Sequence, residues 1–120
     1  MSKTKYLREK KRQLGQFLTP EAISKRIVQS VAFSKEQKVL EPSMGDGSFI
    51  EPLIEAFLPL YTGSIQRRLE TILAKNIWGV EVDKELYEKC LHRIKGRWEY
   101  LPRAHHFVNK DFFPFIFIGQ

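Results

Sequence analysis

The chain has a single cysteine, Cys90, so it can close no internal disulfide, and no set of cysteines, histidines or carboxylates at ligand spacing accompanies it. No stretch approaches the roughly 18 uninterrupted apolar residues of a membrane span. The amino terminus is basic, but the apolar segment of a secretion signal does not follow it. Internal repeats and low-complexity tracts are also missing. With 120 residues, 42% of them hydrophobic, the chain has room for one domain with a modest core. That is short for an enzyme holding both a cofactor and a macromolecular substrate. These absences argue against secretion, membrane insertion and a zinc scaffold, and leave a cytoplasmic location as the expectation.

Negative charge is scarce at one end only. The formal net charge is +6, and residues 1–12 carry Lys3, Lys5, Arg8, Lys10, Lys11 and Arg12 against Glu9 alone. The remaining residues are nearly balanced. The sequence therefore divides into a basic arm, 1–12, and a domain, 13–120. Such an arm can neutralise phosphates along a nucleic acid; a solvated tail is the competing reading.

Beyond the arm, Thr19, Pro20 and Glu21 make a helix start, and Ile23, Ile27, Val28 and Val31 form one apolar stripe from about 20 to 33. Val39-Leu40 reads as a buried strand running into the glycine-rich turn Glu41–Ser48. Phe49, Ile50, Leu53, Ile54 and Phe57 mark a helix stopped by Pro59, and Ile65 to Lys75 a third helix. Ile77 to Val82 is the second strand. Asp83 caps a fourth helix, with Leu86, Tyr87, Cys90, Leu91 and Ile94 on its buried face and Gly96 at its end. Phe107-Val108 is a third strand and Phe115 to Ile118 the start of a fourth. This alternation predicts an α/β fold with a parallel sheet covered on both faces. Ligands of such sheets bind beyond the carboxyl ends of the strands, where Glu41–Gly47, Glu81–Asp83 and Asp111-Phe112 should converge.

The turn is not a P-loop, because Gly-Lys-Ser/Thr is absent. Nor is it a dinucleotide fingerprint, since Ile50 stands where the third glycine belongs. Acids at Glu41 and Asp46, with no lysine nearby, would repel pyrophosphate and suit a cation. S-adenosylmethionine (SAM) fits, with its ammonium and sulfonium groups. Glu81 at the next strand end can accept both hydroxyls of a ribose, and Val82 offers an apolar face to adenine. Asp111 can accept from an exocyclic amino group, and Phe112 can pack on the purine. Each is singly more common as a cap or core residue; in this order they make a nucleoside site.

Four segments, Gly15-Gln16-Phe17-Leu18-Thr19-Pro20, Val39 to Phe49, Gly79-Val80-Glu81-Val82-Asp83 and Asn109-Lys110-Asp111-Phe112, resemble the amino-terminal part of bacterial N6-adenine DNA methyltransferases of type I and combined restriction-modification systems. The resemblance covers roughly residues 14–113. It implies part of a Rossmann-like, class I SAM-dependent methyltransferase fold, about half of its parallel sheet. It implies Thr19 and Pro20 on the methionine carboxylate of SAM, and Glu41, Ser43 and the Gly45–Gly47 backbone near the methionine moiety. Glu81 falls to the ribose and Asp111 to the adenine. DNA is the implied partner of the complete enzyme.

The family's catalytic element is an Asn-Pro-Pro-Tyr/Phe loop that holds a flipped adenine, and this sequence contains no Pro-Pro. The expectation is a SAM-binding portion that stops before the catalytic loop, carries no catalytic residue, binds SAM weakly or not at all, and is inactive alone. A second chain could supply the catalytic half. A stand-alone basic nucleic-acid-binding module, or a fragment of an RNA or protein-glutamine methyltransferase, is the alternative. His105-His106 are expected as loop or strand-start residues rather than metal ligands, and Arg67-Arg68 and Arg93-Lys95-Arg97 as solvated faces.

Overall fold

The computed structural model describes residues 20–111. The expected arm, Thr19, Phe112 and the fourth strand lie outside the described residues. Helix α1 (Pro20–Gln29) leads to strand β1 (Val39–Glu41), helix α2 (Ile50–Phe57), a 3-10 turn at Leu58–Leu60 and helix α3 (Ile65–Lys75). Strand β2 (Ile77–Val80), helix α4 (Lys84–Trp98) and strand β3 (His106–Val108) complete the order. The three strands form a parallel sheet, β1-β2-β3, with Val39 opposite Ile77 and Gly79 opposite Phe107.

The periodicity of the sequence places the elements well, and local chemistry shifts their ends. Helix α1 stops at Gln29 rather than near 33. The Ser30 hydroxyl donates to the Ile27 carbonyl at 2.6 Å, offering the backbone an alternative to another helical turn. Helix α3 runs over its expected span, with Ser64 accepting from the Arg67 amide at its start. Helix α4 begins on Asp83, which accepts from the Leu86 amide at 3.0 Å. It does not stop at Gly96: it continues to Trp98, and Glu99 takes the left-handed turn at φ 55°. A glycine inside a helix costs about 1 kcal/mol. Burial of Ile94, packing of Trp98 on the core and the ion pairs of Arg97 offset it.

Consecutive strands step across the sheet in one direction, so right-handed crossovers carry their helices to the same side. Accordingly, Ile27, Leu53, Leu73 and Ile94, one from each helix, pack in one cluster with Val39, Ile77 and Phe107. Those three strand residues share a sheet face. Leu40, Trp78 and His106 lie on the opposite face, outside that cluster, and are only partly buried or exposed. The expectation of helices on both faces is therefore corrected for the described residues: their core lies on one.

Candidate functional site at the strand ends

Parallel pairing makes β1, β2 and β3 end on one edge of the sheet. The segments after them meet there. The Met44 amide donates to the Val80 carbonyl at 3.0 Å, drawing the glycine turn across the end of β2. Glu81, only 5% exposed, completes the joint: its Oε1 accepts from the Gly45 amide at 2.8 Å and its Oε2 from the Asp83 amide at 2.9 Å. Each oxygen keeps a second lone pair with which to accept from a ligand hydroxyl. Val82, next in the chain, is an apolar side chain left 69% exposed at this edge.

The turn is shaped by its own side chains. Glu41, almost buried, accepts from the Ser43 amide at 3.1 Å, and Asp46 from the Ser48 amide at 3.1 Å. Gly45 and Gly47 both have positive φ, 57° and 90°, a region costly for any residue with a Cβ. Their surroundings differ. A Cβ on Gly45 would meet nothing within 4 Å, so its backbone is open to a ligand. A Cβ on Gly47 would stand 2.9 Å from the Cys90 sulfur, so this glycine lets the turn seat against α4.

Of the residues named from the sequence, Glu41, Ser43, Gly45, Gly47, Glu81 and Val82 are gathered at this edge. Asp111 follows the end of β3 and is exposed. Pro20 opens α1; Thr19 and Phe112 lie outside the described residues. Sequence pattern assigns no role to Asn109, although it sits in the Asn109-Lys110-Asp111-Phe112 segment. Its amide nitrogen donates to the Glu81 carbonyl at 2.7 Å and the Val82 carbonyl at 3.0 Å. Gly79, inside β2, is equally constrained: a Cβ there would lie 2.6 Å from the Met44 sulfur and 2.9 Å from the Phe107 ring. A glycine inside a strand signals such close approach.

The neighbouring groups are accounted for structurally. Burial, with the charge of Asp46 second, pushes the Cys90 thiol up to about 12, so it is not a thiolate near neutral pH. Arg93 and Arg97 are not simply solvated: Arg93 Nε lies 2.6 Å from Glu51 and its Nη1 3.8 Å from Asp46, while Arg97 reaches Glu51 and Glu55 at 3.5 and 3.4 Å. These pairs brace α4 against α2 behind the turn. His106 stacks on Trp78 with centroids 4.5 Å apart, and its Nε2 lies 3.0 Å from the Ala74 carbonyl. The His105 Nδ1 accepts from the Phe107 amide at 3.1 Å. No group of three metal-ligating side chains occurs among the described residues, and none of their helices is long and apolar enough to cross a membrane.

The donor set fits SAM. Carboxylates line the strand ends, one of them with lone pairs available to a diol, beside a bare glycine backbone and an exposed apolar side chain.

A modification subunit ascribed to a type I restriction enzyme of Vibrio vulnificus YJ016 shares the fold, with a TM-score of 0.56 over 80% of this chain at 20% identity. This chain spans 19% of that subunit's length. No curated protein matches significantly. The family model for N-6 DNA methylase matches residues 3–94, from the basic arm through the glycine turn and Glu81 into α4, and the chain belongs to that family.

Proposed function

We propose that this chain is the SAM-binding portion of a DNA adenine-N6 methyltransferase of a restriction-modification system. The observation that carries the reading is the joint between Glu81 and Gly45, with Val82 exposed beside it. In this reading Glu81 accepts the ribose hydroxyls, Val82 faces the adenine and Asp111 accepts from its amino group, with Phe112 on the ring. Glu41, Ser43 and the Gly45–Gly47 turn hold the methionine moiety, and Thr19 and Pro20 its carboxylate. Bound SAM supplies an electrophilic methyl group on a sulfonium. The chain's own residues bind and orient it, and their carboxylates favour its positive charge.

The Asn-Pro-Pro-Tyr/Phe element does not occur in these 120 residues. A further segment or a second chain would therefore present the target adenine, and these residues alone would not methylate. Lys3, Lys5, Arg8, Lys10, Lys11 and Arg12 would contact DNA phosphates, giving binding that weakens with salt. A cytoplasmic site of action goes with a DNA substrate.

Calorimetry and thermal shift with SAM and S-adenosylhomocysteine test the cofactor site. Weak binding and a raised Tm at millimolar ligand are expected; no heat and no stabilisation would overturn the assignment. A methylation assay on mixed-sequence DNA should show no activity from the chain alone. Deletion of residues 1–12 should abolish salt-dependent DNA binding, and binding indifferent to that deletion would remove the arm from the reading.

A further inference from the structure

We infer that Asn109 is the positioning residue of the nucleoside end of the site, an inference that rests on the SAM reading above. Two strand ends must supply groups to a single nucleoside: Glu81 and Val82 follow β2, and Asp111 follows β3. The regular β2–β3 ladder ends at Val80 opposite Val108, followed by one more bond, from the Glu81 amide to the Val108 carbonyl at 3.0 Å. Asn109 carries the connection further with its side chain. Its Nδ2 donates to both the Glu81 and Val82 carbonyls, at 2.7 and 3.0 Å. Both acceptors are carbonyl oxygens, so only the NH2 end of the amide can serve, and its two hydrogens match them.

The bonds determine where two ligand-facing groups point. Glu81 is held from both sides, by Gly45 and Asp83 on its carboxylate and by Asn109 on its carbonyl. Val82 is 69% exposed and lacks a packed side chain to fix it, so the Asn109 bond to its carbonyl restrains its backbone. Asp111 follows two residues beyond Asn109. Asn109 itself is exposed at the edge and lies outside the core cluster. Removing its amide therefore loosens the site more than the fold. Preorganisation of this kind raises affinity by reducing the ordering left for the ligand to impose.

The test is titration of S-adenosylhomocysteine into the 15N-labelled full chain, followed by amide shifts, with the Tm of the free protein measured in parallel. Asn109→Ala should weaken binding by about tenfold, the scale of two modest hydrogen bonds, with little change in Tm. Asn109→Asp keeps the shape but turns a carboxylate toward two carbonyls, and should bind at least as weakly. Tyr87→Phe is the control. It removes a side-chain tether on β3 itself, from the Tyr87 hydroxyl to the Phe107 carbonyl at 3.0 Å, without touching Glu81 or Val82. It should lower Tm and leave affinity unchanged. Wild-type affinity in both Asn109 variants, or equal loss in Tyr87→Phe, overturns the inference alone. A wild-type chain that takes up no ligand overturns the SAM reading and this inference with it.

Discussion

The Glu81 carboxylate accepts the Gly45 amide at 2.8 Å across 36 positions of sequence. One oxygen thus fastens the turn after β1 to the end of β2, while the other holds the Asp83 amide at the entry to α4. A carboxylate bonded in this way is already oriented before any ligand arrives. The same group that would read a ribose also shapes the turn beside it.

Replacing Glu81 should therefore cost both stability and binding. Glu81→Ala strands two amide donors and should destabilise the fold by about 1–3 kcal/mol. Glu81→Gln keeps one acceptor oxygen, and should lose less stability while still losing affinity for S-adenosylhomocysteine. Denaturant unfolding and ligand titration measure the two effects. Unchanged affinity in both variants would show that Glu81 does not hold the ribose.

The two glycines of the turn should respond differently to alanine. Gly45→Ala meets open space and bears only the backbone cost of a positive φ, about 1–2 kcal/mol. Gly47→Ala also drives a methyl against Cys90, adding about 1–3 kcal/mol of overpacking. Cys90→Ala should recover part of the second loss and none of the first. Equal destabilisation by both glycine substitutions would contradict the packing role of Gly47.

The Cys90 thiol should be inert in the folded chain. It is fully buried, and burial and Asp46 raise it to about 12, so thiolate is scarce at pH 8. Reaction with an aromatic disulfide should be slow in buffer and accelerate in denaturant in step with unfolding. Rapid stoichiometric labelling of the native protein would refute this.

Acid should weaken the fold through His105. Burial, with His106 second, lowers its folded value below the ordinary value of about 6.5. The unfolded chain then binds the proton more readily, so stability is fully present above about pH 6.5 and falls as pH drops through the folded value. The chemical reason is visible: protonation removes the Nδ1 lone pair that accepts the Phe107 amide. Asn at 105 can still offer an acceptor and does not titrate. His105→Asn should therefore flatten the fall in Tm between about pH 7 and 5.5. An equal fall in the variant would place the acid sensitivity elsewhere.

Much of this arrangement follows from short-range pattern. Apolar periodicity marks α3 over Ile65–Lys75, and Asp83 announces α4, because both signals act within a few residues. Alternation of strands and helices then places Glu41 at, and Glu81 and Asp111 after, the ends of strands that finish on one edge of the sheet. Tertiary structure decides what local signals leave open. Gly96 carries the mark of a helix end, yet α4 passes through it because Arg97 and Trp98 find partners on the rest of the fold. Gly45 and Gly47 look alike in the sequence, but only Gly47 meets α4. Arg93 finds Glu51 and Asn109 finds Glu81 at separations of 42 and 28 residues, which periodicity cannot reach. Local pattern is enough to say which groups stand at the strand ends. The crossover packing of β1, β2 and β3 decided which of them touch, because contacts between distant segments depend on how helices seat against the sheet.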